Sequence, residues 1–443
     1  MGGSDLNRHP REEMEENMLA REHKSVEDWV IDIKSNLKNV SRQVDVAVWN
    51  KRSIYRIPEG FGDSSRRKAY NPQMVSFGPY HHGKRHLKQM EEHKYRALLH
   101  FLGRAKTPVD GCVAAVERVV PQLMESYDQL DEEWTDRVKF LKLMILDGCF
   151  MLEIFRNSDN NISNDYADND PIFSKHGRLC KLPNIKRDML MIENQLPLLL
   201  LKTLVAVERR APQDDESINK LVFEFFTSCP LVYAMGPCLH VLDVVRKSML
   251  QDTSTAPNPA EVIWPATELH EAGIEFKMIK THSLKEVKFE NGTLTLPQMT
   301  IDDATESKFL NLMAFEQLHA GAGTEVSSYV SFMDNVIDTE RDVILLNKEK
   351  IIKNFVGTDK AVAKIFNGIS QDLSIDPESS LGKVHVDVTK YCNKPMNQWR
   401  ANLVHTYFRS PWAFLSLLAA IFLLGITVIQ FVYGIIDFYH PKS

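Results

Sequence analysis

Residues 413–436 read AFLSLLAAIFLLGITVIQFVYGII, and this run divides the chain into a long body and one apolar helix. Its 24 residues carry no charge, and Ser416, Thr427, Gln430 and Tyr433 are its strong hydrogen-bonding side chains. At 1.5 Å per residue the helix is roughly 36 Å long, against a hydrocarbon core of about 30 Å. As a core helix it would need a large partner surface, so it reads as a membrane span, and the membrane is the first expected partner. Lys394, Arg400 and Arg409 precede the run, while Lys442 follows it. That basic excess places the preceding body in the cytosol. Residues 1–25 are strongly charged and lack the apolar segment of a signal peptide. Leu6 stands where myristoylation requires Ser or Thr. The expectation is a single-pass, tail-anchored protein, with the plasma membrane as its site.

Composition bounds the body. At 44% hydrophobic and 25% charged it is ordinary globular material. A net charge of −6, with no dense Lys/Arg run interleaved with aromatics, excludes a nucleic-acid-binding face. The six cysteines, at 112, 149, 180, 229, 238 and 392, form no C-x-x-C pair. Cys149 sits in an apolar run and reads as a small core residue. Reduced thiols and unused sequons at Asn39, Asn161 and Asn291 follow from a cytosolic body.

Along the chain, Ser25 and Asp28 mark a capping box, and Val26, Val30, Ile33, Leu37, Val40 and Val44 follow at spacings of four and three. This stripe fits a helix docking on another helix. Pro58, Gly60, Gly62, Pro72, Gly78, Pro79 and Gly83 then break regular structure. Helices are expected near 113–130 and 133–157. The second is apolar on most sides, through Met144, Ile145, Phe150, Met151, Ile154 and Phe155, which marks a central core helix. The polar, acidic stretch 158–175 reads as a mobile loop, and QDTSTAPNPAE (251–261) as the best internal boundary.

Beyond that boundary the pattern changes to strands. Ala266–Ala272 reads as a short helix ended by Gly273 at C′. Ile274, Phe276 and Met278 alternate with polar residues, as do Val287 and Phe289, and Asn291-Gly292 precedes Leu294 and Leu296. Asn-Gly between alternating runs predicts a β-hairpin. Further helices are expected from Asp303–Glu306, along Val326, Val330, Met333 and Ile337, and from a Thr358 cap to Phe366. A last one from Val384 carries Trp399, Tyr407 and Trp412 toward the membrane.

Several ordered segments carry a resemblance: IYRIPEGF, AYNPQMVSFGPYHHG, LKQMEEHKYRALLHFL, LDGCFMLEIFRN (146–157), DMLMIENQLPLLLL (188–201), ATELHEAGIEFK (266–277), FENGTLTLPQMTIDD (289–303), NLMAFEQLH (311–319), SYVSFMDNVI (328–337) and SPWAFLSLLAAIFLL. From Ile54 onward the chain resembles the plant family of domain of unknown function 247. The resemblance implies one membrane span, no established enzymatic activity and, for some members, an association with self-incompatibility in grasses. It implies a recognition or signalling role and supplies no catalytic residues.

His86, His93 and His100 are seven apart, so on a helix neighbours stand roughly 10.5 Å apart along one stripe, too far to share zinc. His81, His82 and His86 could form a metal site, but a Pro/Gly loop with Phe77 and Tyr80 inward and the histidines at its polar edge accounts for them better. Asp147, Glu153 and Glu193 interrupt apolar runs. They read either as acid/base groups of a membrane-bound, hydrolase-like enzyme or as partners of an Arg, a Lys or a helix end, with Arg156 and Arg187 as candidates. Glu316 and His319 form a single E-x-x-H, where a di-iron site needs two. His270-Glu271 lacks the second His of a zincin. Gly425 and Gly434 do not form G-x-x-x-G, and the span lacks an ionisable pore residue.

The expectation is therefore a mainly α-helical α+β body with a small antiparallel hairpin or sheet in its second half, plus one C-terminal transmembrane helix. The regions are 1–47 (charged arm and amphipathic helix), 48–250 (helical first half), 251–262 (linker), 263–410 (α+β second half) and 411–443 (anchor and tail). No residue is assigned a catalytic, cofactor-binding or metal role. The partners expected are the membrane, through 413–436, and a protein, but no nucleic acid.

Overall fold

A 20-residue helix, Arg137–Arg156, lies at the centre of the computed structural model, with 14 of its residues buried. A helix apolar on one stripe packs on one face; this one is enclosed, as its all-round hydrophobicity predicts. The structure describes residues 26, 28–31, 33–34, 51–58, 67–105, 108–156, 165–227, 231, 234–250, 264–319, 321–369, 380–403 and 411–439. Residues 1–53 and 54–443 form two compact units. In the first, 26, 28–31 and 33–34 are helical. Ser25, Leu37, Val40 and Val44 of the expected stripe lie outside the described residues.

The second unit is mainly helical. The central helix packs against Gln89–Ala105 and Leu198–Arg209. Gly148 makes the second of these approaches possible: a Cβ there would stand 2.5 Å from Leu204 Cδ1 and 3.1 Å from Leu200 Cδ2. The helix expected over 113–130 is two shorter ones, Val109–Glu117 and Val120–Glu125. Pro121 falls at the first turn of the second, where its missing N–H costs nothing.

Among the described residues, five short strands occupy the second half. β1 (Glu275–Ile279), β2 (Lys288–Glu290) and β3 (Thr293–Pro297) form a sheet in the order β1-β3-β2. β2 and β3 are the expected antiparallel hairpin, with Phe289 opposite Leu294. Asn291 and Gly292 turn between them at φ 50° and 81°, the two positive angles that a type I′ turn demands. β1 joins the other side of β3 in parallel, so the sheet is mixed. β4 (Met299–Ile301) pairs in parallel with β5 (Ile352–Asn354) in a second small sheet. The short helix Ala266–Glu271 ends as expected: Gly273 takes φ 98° and its N–H donates to His270 O, while Ile274 N–H donates to Leu269 O. Those paired bonds are the helix-ending pattern glycine permits.

Helices Thr305–Leu318 and Glu325–Val336 are buried nearly all round, and Thr358 Oγ1 accepts from Ala361 N ahead of Asp359–Ile369. The helix expected from Val384 is broken at Asn393–Lys394 into Ser380–Cys392 and Pro395–Leu403, and Tyr407 lies outside the described residues. The final helix, Pro411–Tyr439, contains a 22-residue stretch, Trp412–Tyr433, that is long and apolar enough to cross a membrane, with 0% of its apolar window buried by the body. The boundary expected at 251–262 also lies outside the described residues. Residues on its two sides share one hydrophobic core and are joined by hydrogen bonds from Ile192 N to Asn311 Oδ1 and from Arg246 Nε to Glu316 Oε1.

Candidate functional site

The segment Pro72–Gly83 (PQMVSFGPYHHG) is irregular and yet buried from Val75 to Pro79. Backbone groups taken from water in this way require partners. They find them in side chains far along the chain, which together make a buried polar clamp.

Asp188, at the end of helix Lys175–Asp188, accepts from three successive backbone N–H groups, those of Gln73 (3.0 Å), Met74 (2.6 Å) and Val75 (3.0 Å). Asn194 continues the series: its Oδ1 accepts from Phe77 N at 2.7 Å, and its Nδ2 donates to Val75 O at 3.0 Å and Asp188 O at 2.9 Å. Asp147 Oδ2 accepts from Gly78 N at 2.8 Å, and its Oδ1 lies 2.7 Å from Lys94 Nζ. Lys94 is fully buried, and its ammonium also meets Glu91 Oε1 at 2.8 Å and Ser76 Oγ at 3.2 Å. An ammonium has three donors, and all three are used. Gly78 is required here. It takes φ 74°, and a Cβ would fall 2.8 Å from Tyr127 Oη and 3.0 Å from Gln195 O.

Gln195 ties the clamp to the rest of the core. Its Nε2 donates to Met189 O and Met191 O at 2.6 and 2.7 Å, and its Oε1 accepts from Leu242 N at 3.1 Å. The helix end at Asp188 and the non-helical turn Met189–Gln195 that follows thus supply the side chains that replace water for the buried loop. Pro197 precedes the helix that starts at Leu198.

Glu193 and His81 occupy the outer end. Glu193 accepts from Ile57 N at 2.7 Å, and its Oε2 lies 3.0 Å from His81 Nε2. His81 Nδ1 lies 2.6 Å from Lys84 Nζ. Lysine can only donate, so Nδ1 accepts and the neutral ring carries its proton on Nε2, toward Glu193. Burial holds His81 below the usual histidine pKa, opposed by its bond to Glu193.

The sequence-level candidates thus separate. His81 is buried rather than at a polar edge, His82 sits edge-on to Trp134, and His86 bonds Pro72 O. The three histidines have different partners, and among the described residues no three His, Cys, Asp or Glu side chains are grouped to hold a metal. Glu153 pairs with Arg104 and accepts from Tyr166 Oη at 2.8 Å, with Arg156 Nε at 3.9 Å. Arg156 is therefore a secondary partner, and its closer contact is Glu208. Arg187 pairs with Asp188 at 3.3 Å. Glu316 caps the Glu325–Val336 helix by accepting from Val326 N (3.0 Å), Ser327 N (2.9 Å) and Ser327 Oγ (2.8 Å), and Arg246 Nε donates to it at 3.0 Å. His319 takes no part in that cap; it stacks on Phe315 and meets Tyr55 Oη at 3.0 Å. Burial pushes the Asp147, Asp188 and Glu316 carboxyls up, against the donors that hold their charge.

The acidic stretch expected to be mobile is anchored where it is described. Tyr166 is buried, stacked 3.9 Å from His100 and 4.0 Å from Phe173, and Asp170 Oδ1 accepts from Ile172 N and Phe173 N. Sequence reasoning missed Lys94, Asp188 and Asn194. A lysine in the helical segment Gln89–Ala105 looks solvated until the loop it faces is known.

A mainly helical body wrapped on a buried polar clamp, with one apolar helix appended, is the class of protein these features define. The chain belongs to the DUF247 family, described as plant protein of unknown function, whose profile matches residues 54–426. It is similar to UPF0481 protein At3g47200 of Arabidopsis thaliana, at 31% identity over 429 residues covering 88% of this chain and 87% of that one. It is also similar to Putative UPF0481 protein At3g02645 of the same plant, at 27% identity over 192 residues covering 43% of this chain and 35% of the other. No solved structure matches.

Proposed function

We propose that this chain is a single-pass membrane protein whose cytosolic body recognises a protein partner or relays a signal at the plasma membrane, without catalysing a reaction. The observation that carries the reading is the helix Trp412–Tyr433, 22 residues long and 0% buried in its apolar window. An apolar surface of that size left uncovered by its own body is stable in lipid and costly in water. Lys394 and Arg400 on its body side support a cytosolic orientation. A structural use of the acids supports a non-enzymatic role: Asp147, Glu153 and Glu193, the carboxylates best placed for acid/base work, are each engaged by a backbone N–H, an Arg, a Lys or a His.

Protease protection on intact plant microsomes, with a tag at each terminus and a glycosidase arm, tests the topology. Removal of the N-terminal tag and body, with no glycan at Asn39, Asn161 or Asn291, is the expected result. A protected, glycosylated body refutes the cytosolic orientation. Proximity labelling at native expression that enriches no specific protein refutes the recognition role.

A further inference from the structure

A cavity of about 830 Å³ opens between helix Lys175–Asp188, the ends of helices Asp215–Thr227 and Val241–Met249, the chain after β1, and the start of helix Thr305–Leu318. It borders the clamp at Arg187, beside Asp188, and no described residue of the apolar helix lines it. Its apolar wall includes Leu182, Leu190, Phe223, Phe226, Met249 and Phe309. Around that wall stand five cations, Arg178, Lys186, Arg187, Lys280 and Lys308, against one carboxylate, Asp302. This is a local reversal in a chain whose net charge is −6.

Two of the cations are incompletely paired. Lys308 is half-buried and, among the described residues, makes no hydrogen bond or ion pair; Asp302 acts on it only at longer range, and the Phe309 ring lies 6.0 Å from Nζ. Arg187 reaches Asp188 through one terminal nitrogen, while its Nε is buried without a partner. Lys186 is satisfied by a neutral group, donating to Phe225 O at 2.6 Å with its charge over the Phe225 ring. Cations withdrawn from water and incompletely paired are stabilised by an arriving anion. The volume falls within the roughly 300–1,000 Å³ of small-molecule sites.

We propose that this cavity binds an anionic amphiphile: an apolar body against Leu190, Phe223 and Phe309, and an oxyanion head met by Lys308, Arg187 and Lys186. The proposal goes beyond the recognition role and does not rest on it, since its test reads binding whatever the topology.

The test uses the full-length protein in nanodiscs of neutral phosphatidylcholine, with empty nanodiscs as blank. The probes are a 16-carbon fatty acid labelled at its far end and the methyl ester of the same molecule. The acid is expected to bind saturably and at least tenfold more tightly than the ester. Lys308→Gln should weaken the acid at least fivefold and leave the ester unchanged, while Lys308→Arg retains binding. Unlabelled acid should also protect Lys308 from acylation by a small amine reagent, read by mass spectrometry, which needs no variant to fold. Phosphatidylserine added to the nanodiscs separates the sources of the head: competition identifies a bilayer lipid, and no competition a free acid. Equal binding of acid and ester, undiminished acid binding to Lys308→Gln, or no protection of Lys308 overturns the proposal.

Discussion

Replacing Lys94 by Met isolates what the clamp contributes, because Met keeps most of the volume and removes only the charge. Lys94 and Asp147 are both 0% exposed and 2.7 Å apart. The substitution strips Asp147 of its cation and leaves one backbone donor, Gly78 N, on the carboxylate. Breaking a buried pair in this way costs about 3–5 kcal/mol. At roughly 2 °C per kcal/mol for a large domain, the unfolding midpoint falls by about 6–10 °C. The cost depends on pH. Burial already raises the Asp147 carboxyl pKa with Lys94 present, and losing the cation raises it further. The folded state then holds a proton that the unfolded chain releases near pH ~3.9. Stability of the variant therefore falls, relative to wild type, as pH rises from that value through the raised folded one. Trp134, fully buried beside the clamp at His82, is a suitable fluorescence reporter. Thermal unfolding at pH 5 and pH 8 should show a larger deficit at pH 8. Lys94→Met combined with Asp147→Asn, which has no carboxyl to titrate, should lose the same amount at both. A Lys94→Met midpoint within about 2 °C of wild type at pH 8, or a deficit equal at both pH values, would refute the clamp as a source of stability.

Three further outcomes follow from local geometry. Gly148→Ala should lower the unfolding midpoint, at a cost of about 1–3 kcal/mol, because Leu200 and Leu204 occupy the space of the new methyl; Gly103→Ala, with no atom within 4 Å, should instead stabilise by about 0.5–1 kcal/mol, and thermal scans of the pair compare them. His81→Gln should flatten the loss of stability on acidification below about pH 6.5, since a histidine held neutral by burial must charge on unfolding; denaturant midpoints at pH 5 and 7 measure this, and identical slopes for variant and wild type exclude it. Glu316→Gln should destabilise by about 2–3 kcal/mol, because the amide has lost the charge that Arg246, Val326 N and Ser327 N address; faster hydrogen exchange at the start of helix Glu325–Val336 is the local sign to look for.

What could be read in the sequence and what could not divides along one physical line. Features decided by neighbouring residues were legible: the apolar run 413–436, the Asn291-Gly292 turn, the Gly273 helix end, the Thr358 cap and the enclosed helix around Phe150. Each depends on a propensity, a period or a turn geometry that a few residues fix. The partners of the buried acids were not legible, because those bonds close over long separations. Asp188 reaches Val75 across 113 positions, Asn194 reaches Phe77 across 117, and Asp147 reaches Gly78 across 69. A carboxylate in an apolar run shows that some donor must be supplied. Nothing local says whether that donor is a lysine two helices away or the backbone of a loop.

The direction of β1 failed to show for a related reason. Alternation at Ile274, Phe276 and Met278 has period two, which reads the same from either end. It therefore specifies which face is buried and leaves parallel and antiparallel pairing open. Hairpin chemistry at Asn291-Gly292 fixed the direction of β2 against β3, but β1 is separated from β3 by residues 280–292 and can approach in either sense. The same logic places the clamp in the fold. Pro72, Gly78, Pro79 and Gly83 deny the segment regular hydrogen bonding, and burial from Val75 to Pro79 denies it water. The side chains of Asp147, Asp188 and Asn194 are what remain to satisfy its N–H groups. The polar character of Asp147 in apolar surroundings, which the sequence alone leaves open between acid/base chemistry and a structural partnership, is accounted for by Lys94 and the loop it holds.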